Sequence, residues 1–378
     1  MHPERFDRSR ENIDSFRART KAERTIDRYD DLLEDLFLIR NPRFKFLADH
    51  GKELGEFVEQ YKAGKASDEL GEWFYFPWDR ALLHFLPEAE HLEIRTARNR
   101  NLITETEQKK LYGLRVAYAG LSVGSHGALT FALMGGGRSI AIADPDAISP
   151  SNLNRMRFSF LDVGRKKTEV VREHIWGLDP YASITSFDEG VSSDSLDAFL
   201  AEADVLVEET DKLDLKIELR LAARKRKIPV IMATDNGDNV IVDIERFDME
   251  PDAMLFHGAV GDIDKEAYTT FPPHHLPKLA TKIAGPEYIV ERMLSSLGEV
   301  GKTIYSWPQL GNAATLAGAA IATALKRLAC GEPLPSGKFE VNMDAALDPA
   351  YGEPKNQKLR ATKRAKYLGA LGLADESV

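Results

Sequence analysis

Acidic and basic side chains follow apolar segments in the middle of the chain. Asp144 and Asp146 come at the end of one such segment, and Asp211 follows another. Arg155 and Lys167 lie between them. In a nucleotide site a carboxylate accepts hydrogen bonds from the ribose hydroxyls, backbone amides and cationic side chains bind the phosphates, and oxygen ligands bind Mg²⁺. These residues therefore predict a site for a nucleotide with its phosphates and a metal ion.

A glycine-containing turn precedes these residues. An apolar stretch at 115–120 runs into this turn, and a helical pattern follows from residue 126. A strand, a glycine turn and a helix in this order bind phosphate through free backbone N–H groups and the helix dipole. Gly120, Ser122 and Gly124 are therefore candidate nucleotide-binding residues.

Strand and helix patterns alternate from residue 115 to residue 248. This alternation predicts a Rossmann-like α/β fold, with a mostly parallel sheet and helices on both faces. We expect strands at 115–120, 139–144, 182–187, 203–208, 228–233 and 239–246, and helices at 126–134, 167–176, 194–202 and 214–227. Because parallel strands end at the same edge of a sheet, Asp144, Asp146 and Asp211 should lie near one another.

The regions on either side have a different texture. Residues 1–94 are charged and mostly helical in pattern, with an aromatic cluster at 73–78 that we expect to pack rather than to stack on a ligand. After residue 248 a small-residue helix is expected at 312–328 and a last strand at 338–342. The predicted segments are a helical N-terminal region (1–94), an ATP-binding core (95–248), its C-terminal part (249–347) and a basic tail (348–378).

Composition excludes several classes of protein. The net charge of −10 over 378 residues disfavours nucleic-acid binding. The single cysteine, Cys330, excludes an internal disulfide and a cysteine-rich zinc site. The N-terminus lacks the apolar core of a signal peptide, and the apolar stretch 313–325 is shorter than the roughly 20 residues that span a bilayer. We therefore expect a cytoplasmic protein with no membrane partner.

Five motifs resemble, in their order, those of the ThiF/MoeB family of adenylating enzymes, which includes the adenylation domains of ubiquitin-activating enzymes. The resemblance extends from about residue 95 to 248 and is thinner to about 347. The glycine loop resembles that of a bacterial branch whose members are sometimes fused to nitroreductase-like domains. The motifs are Gly120-Leu-Ser-Val-Gly-Ser125, Ala143-Asp-Pro-Asp146, Ser151-Asn-Leu-Asn-Arg155, Gly164-Arg-Lys-Lys167 and Glu209-Thr-Asp211.

The resemblance implies a role for each matching residue. Asp144 would bind the ATP ribose, with Asp146 and Asn154 as further nucleotide-binding candidates. Asn152, Arg155 and Lys167 would contact phosphates, and Asp211 would hold Mg²⁺. In family dimers an arginine upstream of the first strand reaches the partner's site, which implies a homodimer here and assigns that role to Arg98 or Arg100.

The implied reaction is the attack of a substrate carboxylate on the ATP α-phosphorus, which gives an acyl-adenylate and pyrophosphate. The resemblance favours the C-terminus of a ubiquitin-like or sulfur-carrier protein or a peptide, with a small carboxylate as the alternative. Three departures from the family pattern matter: Ser122 and Ser125 stand where glycines are usual, the paired Cys-x-x-Cys zinc site is missing, and no cysteine stands at the position of a thioester-forming nucleophile. Zinc is therefore not expected.

Two other functions are compatible with parts of the pattern. An NAD(P)-dependent oxidoreductase would explain the glycine turn and Asp144, but it would give no role to Arg155, Lys167 and Asp211. A non-catalytic nucleotide sensor or scaffold would explain the altered glycine loop. Preference for NADH over ATP would identify the first of these functions, and nucleotide binding without turnover would identify the second.

Overall fold

The computed structural model describes residues 1–47, 49–261, 276–370 and 372. The chain divides into two units, each with its own β-sheet. The first unit comprises Met1–Gln108, Leu133–Gly135 and Trp176–Tyr181. The second unit comprises Lys109–Ala132, Gly136–Ile175 and Ala182–Val378. The functional segments that the sequence predicts, with bounds at 94, 248 and 347, remain predictions.

The first unit is mostly helical, as expected, and also contains a small sheet that the sequence patterns do not predict. Its strands are β1 (Glu4–Arg5), β2 (Arg24–Ile26), β3 (Glu72–Phe76) and β4 (Ala81–Phe85). They pair in the order β1–β3–β4–β2. The helices are α1 (Ile13–Thr20), α2 (Tyr29–Arg40), α3 (Gly51–Lys62) and α4 (Glu88–Thr96), and α5 (Glu105–Gly113) begins in this unit.

The aromatic cluster at 73–78 contributes most of strand β3. Its residues Trp73, Phe74, Tyr75 and Phe76 are all buried. The Trp73 ring stacks on the His84 ring of β4, with 4.1 Å between the ring centroids. The cluster therefore packs in the core of the first unit rather than offering an exposed surface for a ligand.

The second unit is built on a seven-stranded sheet. Its strands are β5 (Arg115–Ala119), β6 (Ser139–Ala143), β7 (Ser183–Phe187), β8 (Val205–Glu208), β9 (Val230–Asn236), β10 (Asn239–Glu245) and β11 (Gly337–Val341). They pair in the order β11–β10–β9–β8–β5–β6–β7. The strands from β5 to β9 are parallel, and β10 and β11 pair antiparallel at one side. The first strand of the parallel part, β5, thus lies between β6 and β8, where strand order reverses and ligands commonly bind.

Helices cover both faces of this sheet. They are α6 (Gly124–Leu133), α7 (Lys167–Leu178), α8 (Leu196–Phe199), α9 (Leu213–Arg226), α10 (Leu276–Ala284), α11 (Glu291–Leu297), α12 (Gly311–Cys330), α13 (Met343–Leu347) and α14 (Pro354–Ala370). Every strand and helix predicted between residues 115 and 248 is present, with ends that differ by three residues at most. The fold class predicted from the sequence is confirmed.

Helices α6 and α12 approach each other closely through glycines. A Cβ atom at Gly318 of α12 would lie 2.5 Å from the Cβ of His126 in α6, and one at Gly127 would lie 2.9 Å from the Ile321 side chain. Contacts this short leave no room for a side chain at either position. The small residues of α12 therefore bring it against the helix that follows the glycine loop.

The length of α12 differs from the expectation. It has 20 residues, so among the described residues it is the one helix long and apolar enough to cross a membrane. The expectation that this segment is too short to span a bilayer is therefore wrong. The helix packs against β9 and β10, and eight of its residues are buried. This packing is that of a core helix in the second unit.

Strand β8 is tied to its neighbours by buried charges. Arg220 of α9 has no exposed surface, donates hydrogen bonds to Glu208 at the end of β8 and to Glu245 at the end of β10, and lies 4.2 Å from the centroid of the Phe256 ring. Although burial alone would raise the pKa of the Glu208 carboxyl, the cations of Lys216 and Arg220 lower this pKa to about 2. Glu208 is therefore ionised inside the protein and depends on these cations.

Replacement of Arg220 by Met should destabilise the protein strongly. It leaves the Glu208 and Glu245 carboxylates buried without their shared cation, which in comparable cases costs about 3–5 kcal/mol. Arg226→Met is the matched control, because Arg226 of the same helix pairs with the exposed carboxylate of Asp197, where water screens the attraction. Urea unfolding at pH 7 measures both variants. Equal loss of stability in the two variants would show that the buried network does not hold β8 in place.

Candidate functional site

A cavity of about 740 Å³ lies in the second unit, at the carboxyl ends of the parallel strands. The residues that end β5 and β6, the turn after β8 and the last half of β9 all contribute to its wall. Eight of the residues singled out from the sequence line it: Gly120, Ser122, Asp144, Asp146, Asn152, Arg155, Lys167 and Asp211. The expected convergence of the strand-end residues is therefore present in the structure.

Asp144 fixes the shape of the glycine loop. Its Oδ2 accepts a hydrogen bond from the backbone N–H of Leu121 at 2.7 Å, and its Oδ1 accepts one from the N–H of Asp146 at 2.9 Å. Gly120 has a φ of 88°, and a Cβ atom there would lie 2.4 Å from the carbonyl oxygen of Glu209. Only glycine fits at this position. The end of β6 thus holds the turn that follows β5.

Lys167, the first residue of α7, lies between two carboxylates. Its Nζ is 3.2 Å from Asp144 Oδ1 and 2.8 Å from Asp146 Oδ2. Asp144 and Lys167 are both buried, whereas the Asp146 side chain is largely exposed. The ammonium group offsets the cost of burying the Asp144 carboxylate. One compact cluster therefore joins the ends of β6 and the start of α7.

The Arg155 guanidinium contacts the glycine loop and lines the same cavity as Lys167. It donates hydrogen bonds to Ser122 Oγ at 3.3 Å, to the carbonyl oxygen of Ser151 at 3.1 Å and to Asn154 Oδ1 at 2.9 Å. All three acceptors are neutral, and within the described ranges Asp235 acts on Arg155 through its charge without forming an ion pair with it. Its charge is therefore available to an anionic ligand.

His126 of α6 anchors the backbone of Arg155. The distance from His126 Nε2 to the carbonyl oxygen of Arg155 is 2.6 Å, so Nε2 carries the proton and donates it. Burial lowers the pKa of His126 to about 4, against a smaller opposite effect of this hydrogen bond. The imidazole is thus neutral at physiological pH. It positions the loop and does not add charge to the site.

The remaining predicted residues fall in several places. Asp211 is exposed on the turn after β8, where Glu208 Oε1 accepts hydrogen bonds from the N–H and the hydroxyl of the adjacent Thr210. Gly124 is the first residue of α6 and is not among the lining residues, and Asn154 instead donates a 2.7 Å hydrogen bond to the carbonyl oxygen of Gln309.

Arg98 and Arg100 belong to the first unit. Both side chains are exposed, and Arg100 lies 3.6 Å from the Glu93 carboxylate. Their expected contact with a partner's site remains a prediction.

The cavity wall also contains an acidic residue that the sequence motifs do not indicate. Asp235, near the end of β9, is 7% exposed and accepts a 3.2 Å hydrogen bond from the Gln309 side chain. Burial raises the pKa of its carboxyl to about 6, and Gln309 and Arg155 oppose the rise. The strand-end position of Asp235 was a usable signal, because it matches that of Asp144. The sequence pattern does not predict the position of Gln309, because a long irregular segment precedes this residue.

Asp235 should make the stability of the protein depend on pH. Its folded-state pKa of about 6 lies above the ordinary value of 3.8, so the folded state keeps a proton that the unfolded state loses. The free energy of unfolding therefore falls as pH rises from roughly 4 to 6.5, because the buried carboxyl then loses its proton. The Asp235→Asn variant lacks this loss. Over that pH interval its free energy of unfolding should rise relative to that of the wild type by up to roughly 3 kcal/mol, and its melting temperature should rise with it. Asp238→Asn, which changes an exposed aspartate on the following turn, should show no such trend in thermal melts between pH 4 and 7. A constant difference between Asp235→Asn and the wild type would contradict the raised pKa.

Solved structures with a similar overall course of the chain include two from Escherichia coli. A crystal structure of MccB with ATP matches with a TM-score of 0.47 and 16% identity, over 83% of this chain and 84% of that one. A structure of tRNA N6-threonylcarbamoyladenosine dehydratase, TcdA, matches with a TM-score of 0.46 and 18% identity, over 63% of this chain and 95% of that one.

Three curated relatives are similar in sequence. The uncharacterized protein MT1398 of Mycobacterium tuberculosis is 39% identical over 281 residues, which are 74% of this chain and 39% of the relative. The sulfur carrier protein ThiS adenylyltransferase of E. coli is 30% identical over 132 residues, 34% of this chain and 52% of the relative. The molybdopterin-synthase adenylyltransferase of E. coli is 27% identical over 125 residues, 33% of this chain and 50% of the relative. The chain therefore spans about half or less of the length of these relatives.

The model of the ThiF family matches residues 96–335, which is more than half of the chain. The match includes the glycine loop, the cluster around Lys167, the Arg155 loop and the Asp211 turn, all of which line one cavity. The chain belongs to the ThiF family.

Proposed function

We propose that the chain is an ATP- and Mg²⁺-dependent adenylyltransferase that activates a carboxylate as an acyl-adenylate and releases pyrophosphate. The observation that carries the proposal is that Asp144, Arg155, Lys167 and Asp211 line one cavity together with Gly120 and Ser122 of the glycine loop. Two curated relatives that match about a third of the chain are named adenylyltransferases, which supports the same chemistry.

The nucleotide would lie along the carboxyl edge of the sheet, as ligands do at the point where strand order reverses. Asp144, at the end of β6, is placed to accept hydrogen bonds from ribose hydroxyls while it keeps its bond to the N–H of Leu121. The Ser125 hydroxyl donates to the carbonyl oxygen of Ser122 at 3.0 Å. The two serines that replace glycines thus complete the turn, which leaves a regular start of α6 beside the phosphates.

The phosphates would lie between Arg155 and Lys167, with Asn152 at the same wall. The substrate carboxylate oxygen forms a bond to the α-phosphorus, and the bond from that phosphorus to the bridging oxygen breaks with release of pyrophosphate. The protein then needs to align the two reactants and to neutralise the charge of the departing oxygens. Arg155 is already oriented for this by three neutral acceptors. Lys167 would exchange part of its contact with Asp146 for a phosphate oxygen.

Asp211 fits a magnesium ligand. Mg²⁺ at nucleotide sites uses one or two carboxylates together with phosphate oxygens and water, so it does not require a cluster of protein ligands. Among the described residues no group of three His, Cys, Asp or Glu side chains could hold a metal by itself. The ion would supply charge neutralisation at the pyrophosphate oxygens, and the Glu208–Thr210 hydrogen bonds would hold the turn that presents Asp211.

We further propose the substrate and the assembly on the basis of the relatives. The substrate is a carboxylate at the C-terminus of a ubiquitin-like or sulfur-carrier protein or a peptide, or a small carboxylic acid. Arg98 or Arg100 would reach the partner's site in a homodimer. The enzyme would act in the cytoplasm.

ATP with Mg²⁺ should raise the melting temperature, and ATP with a chelator should raise it less. A ligand at 100 times its dissociation constant stabilises by about 2.7 kcal/mol. Asp211→Ala should remove the difference between these two conditions, whereas Asp194→Ala, which changes another exposed aspartate, should keep it. Stabilisation by NADH but not by ATP–Mg²⁺ would instead support an oxidoreductase, and stabilisation by ATP–Mg²⁺ without AMP formation would support a nucleotide sensor.

Arg155→Ala and Lys167→Ala should each depress the formation of AMP and pyrophosphate by about 10²–10³, since each removes a preorganised cation from the transition state. Arg157→Ala, an exposed arginine in the same loop, is the control and should keep wild-type turnover. Lys167→Ala also leaves the buried Asp144 carboxylate without its cation, so its rate must be corrected for the folded fraction, measured by circular dichroism. Near-normal AMP formation by folded Arg155→Ala protein would refute the assigned role.

A further inference from the structure

The cavity extends from the end of β6 to residues beyond β9. Strand β9 is separated from β6 by β8 and β5, so with about 4.8 Å between neighbouring strands the two ends of the site lie roughly 14 Å apart. The wall beyond β9 is largely apolar and includes Met232, Ile241, Ile289 and Trp307. Asp235 is the acidic residue that β9 contributes to this wall. This part of the wall lies away from the residues proposed for the ribose and the phosphates.

The Asp235 carboxylate is incompletely satisfied. Its Oδ2 accepts the hydrogen bond from Gln309, but its Oδ1 is buried and has no hydrogen-bond partner among the described residues. A buried carboxylate oxygen without a donor is costly, whereas buried polar groups in folded proteins are as a rule hydrogen-bonded. One oxygen each of Asp188 and Asp243 is in the same state, but those residues do not line the cavity, whereas Asp235 does. A donor on a ligand in the cavity would satisfy the Asp235 oxygen.

A chain of contacts connects Asp235 to the proposed reaction centre. Gln309 donates to Asp235 through its side chain and accepts from Asn154 through its backbone carbonyl, at 2.7 Å. Asn154 in turn accepts a hydrogen bond from the Arg155 guanidinium. The unpaired oxygen of Asp235 is thus fixed relative to the arginine that would face the phosphates. Asp235 and Arg155 line the same cavity, so a substrate carboxylate at the α-phosphorus would share this space with the Asp235 side chain.

We infer that Asp235 determines substrate specificity by accepting a hydrogen bond from an N–H group next to the carboxylate that is activated. This inference rests on the proposed adenylation. The substrate is then a carboxylic acid with nitrogen on its α-carbon, either the last residue of a peptide chain or a free amino acid. An acid without that N–H leaves the Asp235 oxygen buried and unpaired in the complex. Sites built to bind a polar hydrogen reject the analogue that lacks it for this reason.

ATP–pyrophosphate exchange on the full chain tests the inference with matched acids. One pair is a peptide that ends in Gly-Gly and the same peptide with N-methylglycine as its last residue; the other pair is glycine and trimethylglycine. Activity with the Gly-Gly peptide would identify the substrate as a peptide C-terminus, and activity with glycine would identify it as a free amino acid. In the wild type, loss of the N–H should lower kcat/KM by about 10- to 100-fold. In Asp235→Ala the two members of the pair should differ little, mainly because the rate with the N–H acid falls.

Two further variants separate specificity from folding. Asp235→Asn keeps the volume and the Gln309 neighbour, and it should retain part of the discrimination through its amide oxygen. Asp238→Asn, on the turn outside the cavity wall, should keep the full discrimination of the wild type. Equal use of both members of a pair by the wild type, or unchanged discrimination in Asp235→Ala, overturns the inference.

The same protein samples separate this inference from the proposed function. A thermal shift with ATP–Mg²⁺ together with exchange that ignores the N–H group leaves adenylation standing and rejects the role of Asp235. Exchange with none of the N–H acids also rejects that role. If ATP–Mg²⁺ does not raise the melting temperature of the wild type, the adenylation site itself is rejected.

Discussion

The site depends first on how the Asp144 carboxylate is held. This side chain is buried at the end of a parallel strand, and its two oxygens accept backbone hydrogen bonds from Leu121 and Asp146. A buried carboxylate with these partners still needs a cation, and Lys167 at the start of α7 supplies it. Three segments that are far apart in sequence are thereby fixed to one another. The glycine loop, the Asp146 turn and the start of α7 could not move independently without leaving a buried charge unpaired.

Two other buried carboxylates of the second unit follow the same rule, and Asp235 does not. Glu208 and Glu245 share the cation of Arg220, so their burial is offset and the end of β8 is fixed. Asp235 has no cation in contact within the described residues, and its second oxygen lacks a partner. The difference has a physical reading. Paired charges determine the shape of the cavity, whereas an unpaired polar atom at its wall adds nothing to stability and is retained most simply for a ligand.

The sequence was informative where a local pattern determines position. Parallel strands end at one edge, so the approach of Asp144 to Asp211 follows from knowing which segments are strands. The small sheet of the first unit was not predictable, because its strands β1 and β2 have two and three residues and β3 is a run of aromatic residues without alternation. The contact between Gln309 and Asp235 joins residues 74 positions apart. This contact depends on the path of an irregular segment, and the spacing of apolar residues in the sequence does not predict that path.

Lys167 and Arg155, two of the four basic residues that line the cavity in the described part of the chain, differ in what they can do before a ligand binds. Lys167 is neutralised by two carboxylates, so its ammonium group mainly maintains the pocket until an anion competes for it. Arg155 contacts neutral oxygens, and His126 holds its backbone without adding charge. An entering triphosphate can therefore bind Arg155 without displacing a carboxylate from it. A planar guanidinium with a fixed orientation is suited to that task, since it can bind two phosphate oxygens at once.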